Sequence, residues 1–406
     1  MRNENVYFVD FGFEHITMLV AVIENNHLID IPLILEKKVK IPLQRRQSII
    51  ECMENFETLV LLINEAEKML KTNINSIILV IKSNAMNAFF MQCKMDFKKK
   101  QKISQFHEEQ LATTAIKEFY KKTNNNYNML DFINNGFVID QFNCVKNPCK
   151  ITCKSLSFNA TIIGMKNIFA TQFSSYLEKF KIHTQHYISS CIAVSNLSIE
   201  LIPEYGNFLF IDFGSHSTEF CITQNHCITY LNSINLGGID ITRDIAKEIK
   251  ISVNDADEIK KQISNTDFSK NNDQKSKLTF EQIEKIANAR LQEIIMYIKK
   301  TIQKNRNDIF FKKIYIFGGA SMFKNTEKIV NSVFNTSVEV LNMSFVNSNR
   351  TLLNIIQQRN LKINNFQLLV AVIFYLKNLN THKNARRGFL FKIPTKISCF
   401  LKDLLY

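Results

Sequence analysis

The chain has no tryptophan, five prolines and only ten glycines among its 406 residues. That glycine content is about a third of the usual share of roughly 7%. We therefore expect each glycine to stand where a side chain cannot. The nine cysteines are scattered, with no Cys-x-x-Cys pair, which argues against a structural zinc site and against a disulfide framework. A reducing, cytoplasmic location follows as an expectation.

Long apolar runs are also missing, since no stretch approaches the ~18 residues that span a bilayer. The start, MRNENVYFVDFG, lacks a basic segment before an apolar run, so we expect no secretory signal. Lys and Arg exceed Asp and Glu by 51 to 37, a formal net charge of +14. Because these cations are spread along the chain and no motif of a nucleic-acid-binding domain accompanies them, we expect no nucleic-acid partner.

Hydrophobic periodicity predicts alternating strands and helices. Strands are expected at 5–11, 76–81 and 207–214, a hairpin over 18–31, paired strands over 136–164, helices at 47–71, 104–121, 278–304 and 366–376, and a strand, Gly-Gly turn and helix start over 313–323. The charged run 95–102 (MDFKKKQK) is interpreted as a solvated loop.

One pattern occurs twice, at residues 8–31 and again at 210–234. Each copy has an apolar strand, Asp-Phe-Gly, a short turn, a strand, an Asn-containing turn and a further strand. The offset is about half the chain, which indicates a duplicated, two-lobed α/β protein with a cleft between the lobes.

Glycines mark the ends of several predicted strands. A nucleotide's phosphates need closely spaced backbone N–H donors, and a Cβ at the closest approach would hold the backbone away. Gly12 and Gly214 end matching strands, and the preceding Asp10 and Asp212 are placed to hold a hydrated Mg²⁺. The alternative is that these residues simply form hairpin turns.

Four segments together resemble the actin, heat-shock chaperone and sugar kinase superfamily, and within it the FtsA family of bacterial cell-division proteins. They are IDFGSHSTEFCITQN (211–225), LGGIDITRDIAKEIKISVNDADEIK (236–260), FVIDQFNCVKNPCKITCKSLSFNATIIG (137–164) and IFGGASMF (316–323). The resemblance implies an actin-like two-lobed α/β ATPase fold, duplicated, with an inserted small α+β subdomain and a C-terminal amphipathic helix. It also implies ATP and Mg²⁺ as ligands, with at most weak hydrolysis.

The same resemblance assigns the binding residues. The first phosphate loop would be Asp10, Gly12, Phe13, Glu14 and His15, and the second Asp212, Gly214, Ser215, His216, Ser217 and Thr218. Gly237 and Gly238 would approach the ribose and α-phosphate, Asp257 and Lys260 the ribose and base, and Gly318, Gly319 and Ala320 the adenine. Asp10 and Asp212 would hold Mg²⁺ through water.

Both loops depart from the family pattern. Phe13, Glu14 and His15 stand where small or cationic residues are usual, and Ser215 with His216 replaces two glycines. A carboxylate at position 14 disfavours a triphosphate unless Mg²⁺ or a lysine offsets it. The two histidines are interpreted as hydrogen-bonding turn residues, and Cys144, Cys149 and Cys153 are not expected to bind metal.

The resemblance also implies a division of the chain. The first lobe would comprise 1–83, 165–200 and a return segment 346–378, and the inserted subdomain 84–164. The second lobe would comprise 201–235 and 306–345 around a small subdomain 236–305. A linker, 379–388, would lead to a terminal helix, 389–406, and the insertion would meet other division proteins and neighbouring copies.

The C-terminal segment combines apolar residues at helical spacing with cations. The apolar set is Phe389, Leu390, Ile393, Ile397, Phe400, Leu401, Leu404 and Leu405, and the basic set includes Arg386, Arg387, Lys392 and Lys396. Such a helix lies in a membrane interface and meets anionic head groups at about 1 kcal/mol per cation. The alternative is a terminal helix packed on the protein's own core.

These features predict an FtsA-like protein on the cytoplasmic face of the inner membrane. It would bind ATP, polymerise and tether the tubulin-like protein FtsZ. A pilus-assembly actin homologue of the PilM type, a small-molecule kinase of the same superfamily and a degenerate anchor without hydrolysis remain alternatives.

Overall fold

The computed structural model describes residues 4–39, 53–81, 85–202, 204–265, 274–306, 309–323, 325–341, 350–359 and 367–376. The linker 379–388 and the terminal segment 389–406 lie outside the described residues, as does the start of the helix predicted at 47–71. Within the described part, no helix is both long and apolar enough to cross a membrane.

The first lobe is built on a five-stranded sheet of order β3-β2-β1-β4-β9. Its strands are β1 (Glu4–Phe11), β2 (His15–Glu24), β3 (His27–Lys38), β4 (Ser76–Ile81) and β9 (His183–Ser189). The first three strands form an antiparallel meander, whereas β4 runs parallel to β1 and β9 parallel to β4. Helices α1 (Met53–Leu70) and α3 (Asn167–Glu178) precede the two parallel strands.

The second lobe repeats this arrangement in a sheet of order β12-β11-β10-β13-β14. Its strands are β10 (Asn207–Phe213), β11 (Thr218–Gln224), β12 (Cys227–Ile234), β13 (Lys313–Phe317) and β14 (Val338–Val340). Again three antiparallel strands are followed by two parallel ones. The duplication predicted from the repeated motif is present in the strand order of both sheets.

The matching hairpins share their turn chemistry. Asn25 and Asn26 join β2 to β3 with φ of 51° and 67°, and Asn225 and His226 join β11 to β12 with φ of 49° and 65°. Two consecutive left-handed residues are what a two-residue hairpin requires, because that backbone twist matches the twist of the strands. Asparagine tolerates this conformation better than most residues.

A third sheet, of order β5-β8-β6-β7, lies between β4 and α3 in the chain. Its strands are β5 (Met86–Lys102), β6 (Tyr127–Ile139), β7 (Asn143–Val145) and β8 (Thr152–Lys166), and helix α2 (Gln105–Lys122) lies between β5 and β6 in the chain. Its own core centres on the buried rings of Phe119, Phe137 and Phe158. The run 95–102 is largely exposed, as its charges predict, but the loop interpretation is wrong: the run forms the end of β5, an edge strand, where lysines are common because they oppose edge-to-edge pairing.

Helices fill the remainder of the second lobe. They are α5 (Gly238–Ile249), α6 (Val253–Asn265), α7 (Gln274–Asn305) and α8 (Thr326–Phe334), with a short 3₁₀ helix over Gly319–Met322. Their apolar faces, including Ile245, Leu291 and Val330, share one core with the second sheet. Two later helices are α9 (Arg350–Gln358) and α10 (367–376).

Two helices connect the lobes. Helix α4 (Ser190–Leu201) contacts β9 of the first sheet and β10, β11 and β12 of the second. In α10, the Tyr375 ring meets Phe8 edge-on at 5.5 Å, and Gln367 reaches Asp212 of β10. Phe8 and Phe210 are fully buried in the same cluster, and each buried ring of this size contributes about 1.5–3 kcal/mol. The lobes therefore share a packed base.

Candidate functional site

The turn after β1 presents the first predicted loop. Gly12 stands where a Cβ would lie 2.6 Å from the His15 carbonyl oxygen, so the tight hairpin itself requires glycine. The Asn55 side-chain amide donates to the Gly12 carbonyl at 2.6 Å and fixes the turn to α1. His15 is the first residue of β2; its side chain is 41% exposed and lies 4.0 Å from Glu36 of β3.

The turn after β10 is its counterpart. The Gly214 N–H donates to the Ser217 carbonyl at 3.1 Å, which closes the turn. Thr218 is buried, and its hydroxyl donates to the Leu236 carbonyl at 2.8 Å, linking the turn to the segment before α5. Ser215 and His216 of this turn contact the first lobe.

The two turns touch each other directly. The Ser215 hydroxyl donates a short hydrogen bond to the Glu14 carboxylate, 201 residues away in sequence. Beside it, the Phe13 ring stacks on the His216 ring, with centroids 4.1 Å apart and an interplanar angle of 11°. Four of the five residues that depart from the family pattern therefore join the lobes across the cleft, whereas the fifth, His15, lies beside Glu36 of its own lobe.

His216 is held in its neutral form. Burial lowers its pKa to about 4, and Arg243 and Lys260 add to that shift against the opposing charges of Glu14 and Asp240. Its Nδ1 lies 3.1 Å from the Ser215 hydroxyl, and its Nε2 is buried without a hydrogen-bond partner among the described residues. A neutral imidazole suits ring stacking but gives no positive charge to a phosphate.

Gly237 and Gly238 dock α5 against the second turn. The N–H groups of Gly238 and Ile239 donate to the carbonyls of Gly214 (3.0 Å) and Ser215 (2.8 Å). A Cβ on Gly237 would lie 2.4 Å from the Ser215 oxygen, so this approach excludes a side chain. The amides at the start of α5 are consequently bonded to the protein's own backbone.

Three charged residues of α6 form a compact group beside this helix. Asp257 pairs with Lys260 at 3.0 Å and with Lys261 at 2.5 Å. Burial opposes ionisation of Asp257, but the two lysines outweigh it and hold its pKa below the usual value. Lys260 also donates to the Thr242 hydroxyl at 2.6 Å, and Lys261 lies 4.0 Å from Glu14.

The glycine pair after β13 divides into two roles. Gly318 has φ of +89°, and a Cβ there would lie 2.4 Å from the Asp212 carboxylate, so the backbone conformation and the packing both require glycine. At Gly319, nothing lies within 4 Å of a would-be Cβ. This glycine faces open space rather than the protein.

These segments surround one pocket of about 210 Å³. It is lined by Glu14, Gly214, Ser215, Gly238, Ile241, Lys260, Lys261, Gly319, Ala320, Met322 and Phe323. Seven of these were predicted as nucleotide-binding residues, and they come from four separate parts of the chain. Sequence reasoning missed the other four; the apolar spacing in α5 could have indicated Ile241, and the charge beside Lys260 could have indicated Lys261.

The other predicted residues are not part of this lining. They are Asp10, Gly12, Phe13, His15, Asp212, His216, Ser217, Thr218, Gly237, Asp257 and Gly318. Most of them shape the loops that carry the lining residues. Phe13 and His216 act between the lobes.

Asp212 does not fit the predicted magnesium role. Its carboxylate is fully buried and accepts hydrogen bonds from the Ser190 hydroxyl at 2.6 Å and the Gln367 amide at 2.9 Å. It thereby ties β10 to α4 and α10 and does not face the pocket. Asp10 is half-buried on β1 and is also absent from the lining. Among the residues that the structure describes, no group of three or more His, Cys, Asp or Glu side chains could hold a metal.

Glu219, which faces Asp212 across the β10–β11 register, is likewise fully buried. Its carboxylate accepts from the Ser189 hydroxyl at 2.9 Å and from the Cys191 N–H at 3.3 Å. Both carboxylates therefore sit at the N-terminus of α4, where the helix dipole favours negative charge. This pair of acids serves the junction between the lobes.

Comparison with known proteins agrees with this architecture. The family model for cell division protein FtsA matches residues 209–354. Cell division protein FtsA of Bacillus subtilis (strain 168) is 20% identical over 230 residues, which cover 54% of this chain and 52% of that protein. The match thus spans about half the length of this relative.

A solved structure shares this fold. The PilM–PilN type IV pilus biogenesis complex superposes with a TM-score of 0.57 at 13% identity, covering 84% of this chain and 89% of that one. MreB5 of Spiroplasma citri, solved with ADP bound, gives a TM-score of 0.40 at 14% identity, over 88% and 97% of the two chains. The predicted α/β actin-like ATPase fold is confirmed. The duplicated sheets and the match of residues 209–354 to the FtsA model make this chain similar to the FtsA proteins.

Proposed function

We propose that this protein binds an adenine nucleotide in the pocket between its lobes and serves as a membrane-bound scaffold in cell division. The observation that carries the nucleotide part is the convergence of Glu14, Ser215, Gly238 and Gly319 on one cavity. These residues belong to four glycine-marked segments that are far apart in the chain.

The pocket has the mixed chemistry that a nucleotide needs. Ile241, Ala320 and Phe323 offer an apolar side for the base, and Lys260 and Lys261 offer N–H donors for the sugar-phosphate side. Ligand pockets generally combine an apolar lining with a few placed polar groups. Nothing lies within 4 Å of a Cβ built at Gly319, so a side chain at this position would occupy space that is open to a ligand.

Substitution of Gly319 tests nucleotide binding. Gly319→Val projects two methyl groups into the cavity and is expected to abolish binding of ADP in calorimetric titration, with Gly319→Ala giving a partial loss. Because no protein atom lies within 4 Å of the new Cβ, the melting temperature should hold. Ser332→Val, on an exposed face of α8 outside the lining, is the control. Equal affinity in all three variants would refute the nucleotide site.

The scaffold part of the proposal concerns the insertion and the terminal segment. On the cytoplasmic face of the inner membrane, 389–406 would lie among anionic lipids, residues 84–164 would meet other division proteins, and copies would assemble into a filament that anchors FtsZ. The FtsA family match and the actin-like fold support this proposal. Its detailed partners rest on the family resemblance.

Liposome co-sedimentation tests the membrane contact. The full chain should pellet with anionic vesicles and recruit FtsZ to them, whereas a chain ending at residue 385 should do neither. A full-length variant with Arg386, Arg387, Lys392 and Lys396 changed to Gln keeps the apolar face and should bind up to about a thousandfold more weakly, because each cation contributes about 1 kcal/mol. Identical pelleting of the full and shortened chains would remove the membrane claim.

A degenerate anchor that does not hydrolyse nucleotide is the second candidate. The direct contacts of Glu14 with Ser215 and of Phe13 with His216 favour it, because they occupy the gap between the two turns. A steady-state rate of ATP hydrolysis that is higher in the wild type than in the Gly319→Val variant would exclude this candidate.

A further inference from the structure

The polar end of the pocket is closed by the protein's own side chains. Glu14 enters from the first lobe with a side chain 22% exposed, and its carboxylate accepts the hydroxyl of Ser215. The stacked rings of Phe13 and His216 lie beside this bond, 4.1 Å apart. A carboxylate thus stands between the two turns, as an anionic ligand group would.

The groups that would attract a phosphate chain are already matched. The amides of Gly238 and Ile239 donate to backbone carbonyls of the second turn, not toward the cavity. Lys260 is paired with Asp257, and Lys261 is shared between Asp257 and Glu14. Two cations therefore face two carboxylates, and this group carries no net positive charge.

The cavity is also small. Its volume of about 210 Å³ falls below the roughly 300–1,000 Å³ typical of ligand pockets. If the base occupies the apolar side at Ile241 and Phe323, the phosphate chain must run toward Glu14 and Ser215. Each added phosphate brings more negative charge toward the Glu14 carboxylate.

We propose that the pocket prefers adenine nucleotides with no more than two phosphates, because Glu14 and the Phe13–His216 stack occupy the position that a third phosphate would need. This inference rests on the proposed nucleotide site and specifies its ligand. The Glu14 carboxylate supplies the negative charge at this position and links the lobes through Ser215 in the absence of a triphosphate.

Titration calorimetry of the full chain with ADP and with ATP, in a buffer containing magnesium, tests this selectivity. Wild type is expected to bind ADP about tenfold more tightly than ATP, which corresponds to about 1.4 kcal/mol. Glu14→Gln keeps the size and the acceptor oxygen for Ser215 but removes the charge. It should shift the affinity ratio toward ATP by about tenfold.

Two further variants make the result specific. Glu204→Gln removes the same charge from an exposed pair with Lys312 outside the pocket lining, and it should leave the ratio unchanged. Phe13→Leu breaks the ring stack without altering any charge, and it should move the ratio toward ATP by a smaller factor. This second variant also tests the inference should Glu14→Gln fold poorly.

The outcomes separate the two proposals. Tighter ADP binding in wild type, with a ratio that shifts in Glu14→Gln or Phe13→Leu but not in Glu204→Gln, supports the selectivity. Tighter ATP binding in wild type, or a ratio that neither pocket variant changes, overturns the selectivity and leaves the nucleotide site standing. No detectable binding of either nucleotide to wild type or to the two pocket variants overturns both.

Discussion

Replacing Asp212 with alanine distinguishes a structural role for this carboxylate from a role in holding a metal. The side chain has no exposed surface and accepts the Ser190 hydroxyl at 2.6 Å and the Gln367 amide at 2.9 Å. Its removal leaves both donors buried without this acceptor. Each such donor costs about 1–3 kcal/mol, so we expect the free energy of unfolding to fall by about 2–6 kcal/mol.

Urea denaturation followed by circular dichroism measures this loss. Glu339→Ala is a suitable control, because it deletes a carboxylate from an exposed pair with Lys313 at 2.5 Å, and such pairs contribute at most about 1 kcal/mol. A loss in Asp212→Ala no greater than in the control would refute the reasoning. Unchanged stability with lost nucleotide affinity would instead restore a role for Asp212 at the bound ligand.

Three more predictions follow from the same geometry. Gly318→Ala should lower the free energy of unfolding by about 1–3 kcal/mol because of its positive φ, whereas Gly319→Ala should leave it nearly unchanged in the same denaturation assay. The pKa of His216 is lowered by burial to about 4 from 6.5, so the unfolded chain takes up this proton first. The contribution of neutral His216 to the free energy of unfolding should therefore be fully present above pH 6.5 and should fall by up to roughly 3 kcal/mol as the pH is lowered toward 4. The His216→Phe variant should lack this part of the pH dependence. Burial raises the pKa of the Cys227 thiol to about 11, so at pH 8 it should react with iodoacetamide much more slowly than the exposed Cys144, as measured by mass spectrometry.

The local elements were predictable because their signals lie within a few residues. Asn25 with Asn26, and Asn225 with His226, mark the two hairpin turns, and strict apolar strands flank both. The repeat of this unit was enough to predict two similar lobes. The end of β5 was not predictable in this way, because 95–102 carries lysines on an edge strand and lacks regular alternation.

The contacts between the lobes could not be derived from the sequence. Whether Asp212 faces a ligand or the interior depends on α4 and α10, and Gln367 lies 155 residues away from it. The pairing of Glu14 with Ser215 spans 201 residues. Sequence reasoning identified Phe13, Glu14 and His216 as departures from the family pattern. An unusual residue type alone does not show which residue its side chain contacts.

The scarcity of glycine predicts that each glycine stands where a side chain cannot, and the structure shows more than one reason for this. Gly12, Gly237 and Gly318 are each required because protein atoms lie within 2.6 Å of a would-be Cβ. At Gly319 nothing lies within 4 Å of that position, while the nearest atom at Gly238 is the Ala320 Cβ at 3.7 Å. A tight turn and open space for a ligand both favour glycine, so the residue type alone does not distinguish these two roles. The Cβ distances can: they exclude a side chain at Gly12 for reasons of packing, and they leave position 319 as a place where a side chain would enter the pocket and compete with the proposed nucleotide.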